Sequence, residues 1–555
     1  MCNCLSPLLL LILLITSTAS QTTKPMVPPT ALDQVVDRIV AGERELLKTL
    51  QPYTPLAETY IQNVHPDVEL GSVPVRDAYF LTQLDLRHGI KIHSFLRQPN
   101  LPWRMLKSFT NVTSPQFVAL GFAQMIVPDD MAFDRRHYDF NFVRREFLGE
   151  VRTLVFDVAP RRGAGKGRFL GRIWVEDQDY KIVRFNGTYS GSPLFARYLH
   201  FDSWRVNTEP GVWLPAHVYV EESDLPYSFG RKLRLKGQTQ IWGYGLKPAS
   251  RQDEFTKVTV ESPSGVQDRS ESAADFSPVQ RQRAWEREAE ENVMERLQKA
   301  SLLAPDGEVN KILETVANNL QITNNLNIQP QVRVRVLLTS QIESFTIGHS
   351  IVLSRGLVDT LPDEASLAMV LAHELAHIAL GHRLDTKYAF SDRMWFADPD
   401  SFYRFELARN KTEEDAADEK AMEFLKNSPY SAKLANAGLF LRALAAEAGQ
   451  LPNLVRPHFG NRLTKGGGLV RMQELMQTAP ALERTRTEQI AALPLGSRIK
   501  LDPWDNHLEM LKSQPVALLS AREKMPFEIT PVVLTLARKT IATQAQRSVD
   551  ADVPK

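Results

Sequence analysis

From residue 32 onward, apolar side chains recur at helical spacing: Leu32, Val35, Val36, Ile39, Leu46, Leu47 and Leu50. That spacing predicts an amphipathic helix with one stripe turned to a core. Thr30 stands where it can cap the first turn, with Asp33 at the third helical position. From about residue 70 the period falls to two. Arg152 to Val158, Arg168 to Val175, Tyr180 to Tyr189, Trp213 to Val220 and Lys232 to Gly243 each alternate in the manner of a half-buried strand. The gaps between them are short and carry turn residues such as Asp177-Gln178-Asp179, so the strands are expected to pair as an antiparallel meander. The basic stretch from Arg161 to Gly167 is glycine-rich, but a strand pattern follows it and no helix does. It is expected to be a hairpin tip and not a phosphate-binding loop.

The polar stretch from Ser262 to Pro278 offers little to bury and reads as a linker between two halves expected to fold separately. Beyond it lies a helical run that is apolar almost all round. Leu367, Ala368, Met369, Val370, Leu371 and Ala372 lead in, Ile378, Ala379 and Leu380 follow, and Gly381 is placed to cap the end. A helix of this kind is buried. The stretch from about Ala537 has no apolar pattern and is expected to fray.

At the N-terminus, the unbroken apolar run from Leu8 to Ile15 is followed by Thr16-Ser17-Thr18-Ala19-Ser20. The run is too short to span a bilayer, and the small residues after it suit cleavage, so it reads as a secretory signal peptide. Cys2 and Cys4 are the only two cysteines, and both precede that run. The processed chain would carry no thiol and would rely on its cores alone. A net charge of +1 gives no reason to expect nucleic acid or an anionic membrane as the main partner.

Inside the buried helical run stands His373-Glu374-Leu375-Ala376-His377. On a helix, residues four apart share a face, so the two imidazoles can grip one zinc ion from the same side. Glu374 is then placed for its carboxylate to reach a metal-bound water. Buried histidines and a buried carboxylate need partners or a metal in any case. A metzincin extension would require Gly at 380 and His at 383, where the chain has Leu380 and Arg383. His382 reads as a helix-end cation near the last carbonyls.

A candidate third ligand lies in the run from Thr412 to Ala421. Glu414 and Asp418 sit one turn apart on a second helix, and Ala421 and Leu425 continue the same face inward. Glu414 can complete a two-histidine, one-glutamate site. Asp418 can accept a hydrogen bond from a ligand imidazole. Acidic runs on helices are usually solvated, as Glu413, Asp415 and Glu419 are expected to be, and spacing alone leaves Glu414 open between the two readings.

Four stretches carry a resemblance. They are Leu303-Ala304-Pro305-Asp306-Gly307-Glu308-Val309, the strand-like run from Ser344 to Leu357, the His373–His377 helix and the Glu414–Asp418 helix. In order and separation, the region from about 283 to 536 resembles the HtpX-type and CAAX-prenyl-protease-type zinc metallopeptidases, family forty-eight of the metallopeptidases. The resemblance implies that His373, His377 and Glu414 hold one zinc ion and that Glu374 is the catalytic base. Two departures stand out. The family strand often reads Asn-Ala-x-Ala-x-Pro-Gly-Gly, where this chain has Glu343-Ser344-Phe345-Thr346-Ile347-Gly348-His349. Members also often carry a His-Pro pair near the end of the catalytic domain, and the aligned place here is Thr478-Ala479-Pro480, with Ala479 for the histidine. In the first half, the run 167–176 followed by Tyr180 to Arg184 is similar to outer-membrane lipoprotein-sorting domains. That similarity implies a curved sheet packed on a helix, able to hold acyl chains or a lipoprotein.

The expected organisation is α+β. A signal peptide over 1–20 precedes a curved antiparallel β-sheet domain with a helix over 21–262. A linker over 263–282 leads to a mostly α gluzincin peptidase domain with a small β-sheet over 283–536, and a disordered tail covers 537–555. The expected function is that of an exported zinc metalloendopeptidase, periplasmic or secreted and of bacterial type, in which Glu374 activates a zinc-bound water. Its partners would be protein or peptide substrates, held extended by strand pairing along Thr346 to Leu353, with neither nucleic acid nor a transmembrane span. The alternative is a lipid- or lipoprotein-binding or chaperone protein with a weak or inactive peptidase domain.

Overall fold

The computed structural model describes residues 31–85, 91–94, 122–123, 125–129, 132–165, 167–190, 199–222, 234–245, 278–383, 407, 409–455, 464–465, 468–469, 471–496, 498–511 and 516–539. The expected signal peptide, the helix cap at Thr30 and nearly all of the expected linker lie outside these residues.

Helix α1 (Ala31–Leu50) forms where the sequence placed it and buries Val36, Ile39, Val40, Leu46 and Leu50. Ten strands then make one antiparallel sheet. They are β1 (Leu56–Asp67), β2 (Gly71–Asp85), β3 (Lys91–Ser94), β4 (Tyr138–Leu148), β5 (Val151–Pro160), β6 (Arg168–Glu176), β7 (Ile182–Ser190), β8 (Leu199–Glu209), β9 (Val212–Glu222) and β10 (Arg234–Trp242). From β4 to β10 the sheet is the expected meander. It is then extended by a pairing that local pattern does not announce, because β1 lies against β10 and brings β2 and β3 with it, in the order β3-β2-β1-β10-β9-β8-β7-β6-β5-β4. The β-sheet therefore begins at Leu56, earlier than the change of period suggested. The Arg161–Gly167 stretch lies between β5 and β6, as expected of a hairpin tip.

Both faces of the sheet are covered, which explains why β1, β8, β9 and β10 are buried along nearly their whole length. One face carries Ala57, Phe169, Phe185, Phe201, Leu214, Val218 and Ile241 in a core with α1 and residues 122, 123 and 125–127. A buried bidentate pair fastens the helix there, Arg205 Nη1 and Nη2 lying 2.5 and 2.8 Å from the two carboxylate oxygens of Glu43.

The second half starts with α2 (Pro278–Lys299), which begins inside the stretch expected to be linker. It continues through α3 (Glu308–Thr323), β11 (Arg333–Leu337), β12 (Ser344–Ile347), β13 (Ser350–Ser354), α4 (Arg355–Thr360), α5 (Glu364–Ala379), α6 (Lys411–Lys426), α7 (Leu434–Glu447), α8 (Pro452–Val455) and α9 (Gln473–Thr478). The short strands β14 (Thr464–Lys465), β15 (Gly468–Leu469), β16 (Ile499–Leu501) and β17 (Leu508–Met510) make two small hairpins. Strands β11, β13 and β12 form a three-stranded sheet with β13 in the middle. The architecture is α+β, as expected.

The core of this half does not stop at its own elements. Leu56, Tyr60, Tyr79, Leu81, Tyr219 and Trp242, on the second face of the large sheet, belong to the same buried cluster as the helices. Polar contacts are threaded through it. Glu58 on β1 accepts from Arg355 Nη2 at 2.8 Å, Ser340 N at 2.5 Å, Ser340 Oγ at 2.6 Å and Tyr79 OH at 2.7 Å, all buried. Gln62 exchanges two bonds with the backbone of Phe527 and Ile529, at 2.7 and 2.9 Å. Farther along the same face, Leu534 and Leu536 cover Trp174, Trp204 and Trp213. Arg538 pairs with Glu176 and Lys539 with Asp502, so packing runs past the point where the tail was expected to begin.

Two sets of elements that follow one another along the chain thus share one interface core. Glu58→Ala would remove the closer of the two buried carboxylates that pair with Arg355, leaving Asp359 at 3.5 Å, and breaking a buried pair typically costs about 3–5 kcal/mol. The expected result in urea is a lower midpoint in a single transition, seen alike by the tryptophans of the sheet and by a probe on α5. Two separate transitions in the wild type would show that the interface does not couple the halves. A second expectation concerns pH. His217 on β9 is fully buried, and neither ring nitrogen has a hydrogen-bond partner among the described residues. Burial, reinforced by the charge of Arg355, lowers its pKa from 6.5 to about 4. The folded state then binds this proton less readily than the unfolded chain. Its contribution is complete above the unfolded value and is lost as pH falls from 6.5 towards about 4. His217→Gln should therefore remove up to roughly 3 kcal/mol of the stability difference between about pH 7 and about pH 4. Equal acid sensitivity in both proteins would assign that loss to other groups.

Candidate metal centre

Helix α5 starts at Asp363, whose side chain accepts from Ser366 N at 2.9 Å, and ends as Gly381 turns into the left-handed region at φ +70°. Between them every residue from Ala368 to His377 is buried. Helix α6 begins at Asn410, whose side chain caps it by accepting from Glu413 N at 3.0 Å. The Asn410 amide is thus a capping group. Ala417, Ala421 and Leu425 pack inward and carry Glu414 towards α5, while Asp415 and Glu419 face solvent as expected.

His373, His377 and Glu414 form the group that can hold a metal ion, with their ligand atoms all within 4.8 Å of one another. The two Nε2 atoms lie 3.1 Å apart, and each is 3.4 Å from one oxygen of Glu414. Each imidazole faces a different oxygen of Glu414, and these separations are close to the roughly 3.3–3.5 Å between ligands that stand about 2.0–2.1 Å from a tetrahedral zinc ion. The outer ring nitrogens are also engaged. His373 Nδ1 is 2.8 Å from Asp418 Oδ1, the orienting contact expected of that residue. His377 Nδ1 is 2.9 Å from His382 Nδ1. His382 was expected to act only on the helix end. It does so through its backbone N–H, which reaches His377 O at 3.0 Å, but its ring also orients a candidate ligand.

Glu374 is held from two further elements. Ser344 Oγ and Thr346 Oγ1 on β12 donate to its two oxygens, each at 2.7 Å. Arg471 Nη1 donates to the same oxygen as Ser344, at 3.0 Å, and Arg471 Nε donates to Glu414 at 3.0 Å. A carboxylate has about four acceptor positions, so Glu374 keeps one of them for a water. Burial would raise Glu374, but Arg471, His373 and His377 hold it below the usual carboxylate range. Burial opposes ionisation of Glu414 as well, and Arg471 with the two histidines holds it far below that range. Both groups are therefore anions in a dry site.

Ser344, Thr346, Arg471 and His382 were not singled out as site residues from sequence. The two hydroxyls alternate along a strand and so share one face, a signal that was available. Arg471 follows a glycine run and precedes Met472, which has φ +51°, and no pattern marks it. Ala479, aligned with the family histidine, packs against Gly438 of α7 and its carbonyl accepts from Arg442 Nη2 at 3.1 Å. Strand pairing with a substrate was expected along Thr346 to Leu353. Within that run β13 is paired on both sides and β12 lies at an edge of the sheet among the described residues, where the Thr346 carbonyl accepts from Arg409 Nη2 at 3.1 Å.

Residues 303–396, a stretch that contains α3 to α5, match Peptidase family M48. The match ends before Glu414, Asp418 and Arg471. No curated protein matches the chain. Among solved structures, a DUF1329 family protein from Desulfovibrio piger aligns over 40% of this chain and 98% of its own, at 10% identity and a TM-score of 0.20. The MucA/MucB complex from Pseudomonas aeruginosa aligns over 38% of this chain and 94% of its own, at 10% identity and a TM-score of 0.12. Likenesses at that level carry no functional argument. No described helix is long and apolar enough to cross a membrane.

The contact between Asp418 and His373 has a measurable consequence. Removing such an orienting partner typically weakens a metal site by about 10–100-fold. Asp418→Ala is expected to lower zinc affinity by that factor in a chelator competition, with the circular dichroism spectrum unchanged. Undiminished affinity would mean that α5 alone orients the imidazole.

Proposed function

We propose that the chain is a zinc-dependent metalloendopeptidase that hydrolyses peptide bonds of exported or envelope proteins. The observation that carries this reading is the placing of Glu374 beside a converging two-histidine, one-glutamate group on a buried helix, within a region that matches a peptidase family. A structural zinc site would have no use for a second carboxylate at that place and would close its last position with a protein ligand. The same point favours an enzyme over a binding module that merely retains the fold.

His373, His377 and Glu414 would hold the zinc, which supplies Lewis-acid activation of water and of the peptide carbonyl when bound. Asp418 and His382 orient the imidazoles, which keeps the Nε2 atoms turned to the metal position. Ser344 and Thr346 hold the Glu374 carboxylate in place. Glu374 takes a proton from the attacking water on its remaining acceptor position and returns it to the amine nitrogen as the C–N bond breaks. The edge strand β12 is suited to hold a substrate backbone extended next to this carboxylate. The apolar run at Leu8–Ile15 supports export to the periplasm or the outside, and the large sheet would present or bind clients, lipoproteins among them.

Glu374→Gln should keep one zinc per chain and the wild-type melting temperature, and lose about 10²–10⁴-fold in cleavage of a casein-type substrate. Glu414→Ala should lose zinc, whereas Glu413→Ala should keep it. Undiminished cleavage by the glutamine variant, or equal zinc in the two alanine variants, would overturn the assignment.

A further inference from the structure

The metal centre contains a cation that its sequence motifs do not include. Arg471 is buried among the candidate ligands and base, and its guanidinium spans both carboxylates, Nε to Glu414 at 3.0 Å and Nη1 to Glu374 at 3.0 Å. The third nitrogen, Nη2, is buried and has no hydrogen-bond partner among the described residues. A planar guanidinium places Nη2 next to Nε on one edge and next to Nη1 on the other. Nη2 therefore lies between the nitrogen that meets Glu414 and the nitrogen that meets Glu374. An unpaired N–H buried there is costly unless a ligand completes it.

Resting on the peptidase reading above, we propose that Arg471 is the electrophilic residue of this site. Nη2 donates to the oxygen of the scissile carbonyl as water attacks the carbon and the π pair moves onto that oxygen. The charge returns to re-form the carbonyl when the C–N bond breaks and the amine leaves with the proton carried by Glu374. The other two nitrogens keep Glu414 and Glu374 in register with this donor. The aligned family position for an imidazole, Ala479, is turned to α7 and has no group to offer. Arg471 supplies the missing positive donor from another point of the chain. A guanidinium suits the task because it stays charged and its fork satisfies two carboxylates while keeping one donor free, which an ammonium cannot match in geometry.

The test uses the full-length, zinc-loaded protein and the variants Arg471→Ala and Arg471→Lys. Removal of one oxyanion donor costs about 10²–10³-fold in kcat. Arg471→Lys, which keeps the counter-charge, should show that loss with KM nearly unchanged and zinc content retained. Affinity for a phosphinic pseudopeptide, a tetrahedral anionic mimic, should fall by a similar factor in calorimetry. Added guanidinium ion should restore part of the rate to Arg471→Ala. Wild-type kcat and phosphinic affinity in Arg471→Lys would overturn the proposal. So would loss of zinc or fold in Arg471→Ala together with full activity in Arg471→Lys, since Arg471 would then be a structural counter-charge. A wild-type protein that binds zinc but neither cleaves peptides nor binds the phosphinic compound would overturn the peptidase reading itself, which separates the two failures.

Discussion

Two carboxylates cannot be buried side by side without positive charge between them, and that constraint organises the catalytic half. Glu374 comes from α5 and Glu414 from α6, and both are buried. The desolvation penalty of each is several kcal/mol, far more than packing against an alanine-rich helix returns. The penalty is met by convergence. Arg471 lies across both anions, Ser344 and Thr346 donate from β12, and the imidazoles of His373 and His377 face Glu414. A cation held between the imidazoles and Glu414 would add to the same balance. Because these partners arrive from four separate stretches of chain, the site exists only when the surrounding elements are docked.

That docking depends in turn on the large sheet. Strand β13 and helix α4 are held to β1 through Arg355 and Glu58, and the same guanidinium reaches Ser340 Oγ at 2.6 Å. Gly356 is required at this point, since a Cβ there would lie 1.9 Å from Ser340 O. The sheet and the peptidase elements are therefore joined by a close backbone approach as well as by buried charge, and β12, which carries Ser344 and Thr346, is one strand away from that seam. The first half of the chain acts as a foundation for the geometry of the second.

How much of this was legible in the sequence depends on whether the cause was local. The period of 3.6 in α1 and the period of two in β5, β6, β7, β9 and β10 reflect one neighbouring face each, and they were readable. Strand β8 was missed because Asp202, Arg205 and Asn207 are buried there, and a strand buried with its polar partners looks like a surface strand or a loop. The pairing of β1 with β10 joins residues such as Tyr60 and Gln238, whose closeness is a property of the whole sheet. At the site, His373, Glu374 and His377 share one helical turn, and Glu414 and Asp418 share another, so each set announced itself. Arg471 and His382 act only through partners on other turns, and no spacing rule reaches them. The polar composition of Ser262 to Pro278 gave no sign of the apolar face shared by the elements before and after it.

The seam between sheet and peptidase is closed last by residues far along the chain. Gln62 meets the Phe527 carbonyl across a separation of 465 residues, and Leu536 bridges to Gly149 beside the tryptophan-lined face. A chain made from its N-terminus outward would carry the sheet for most of its synthesis with that face bare. A nascent or shortened product would offer a broad aromatic surface to chaperones and to degrading enzymes, and it would lack the docked metal centre at the same time. The late strap thus ties quality control to the site: a molecule with the site assembled is one whose translation has run far enough to conceal that tryptophan face.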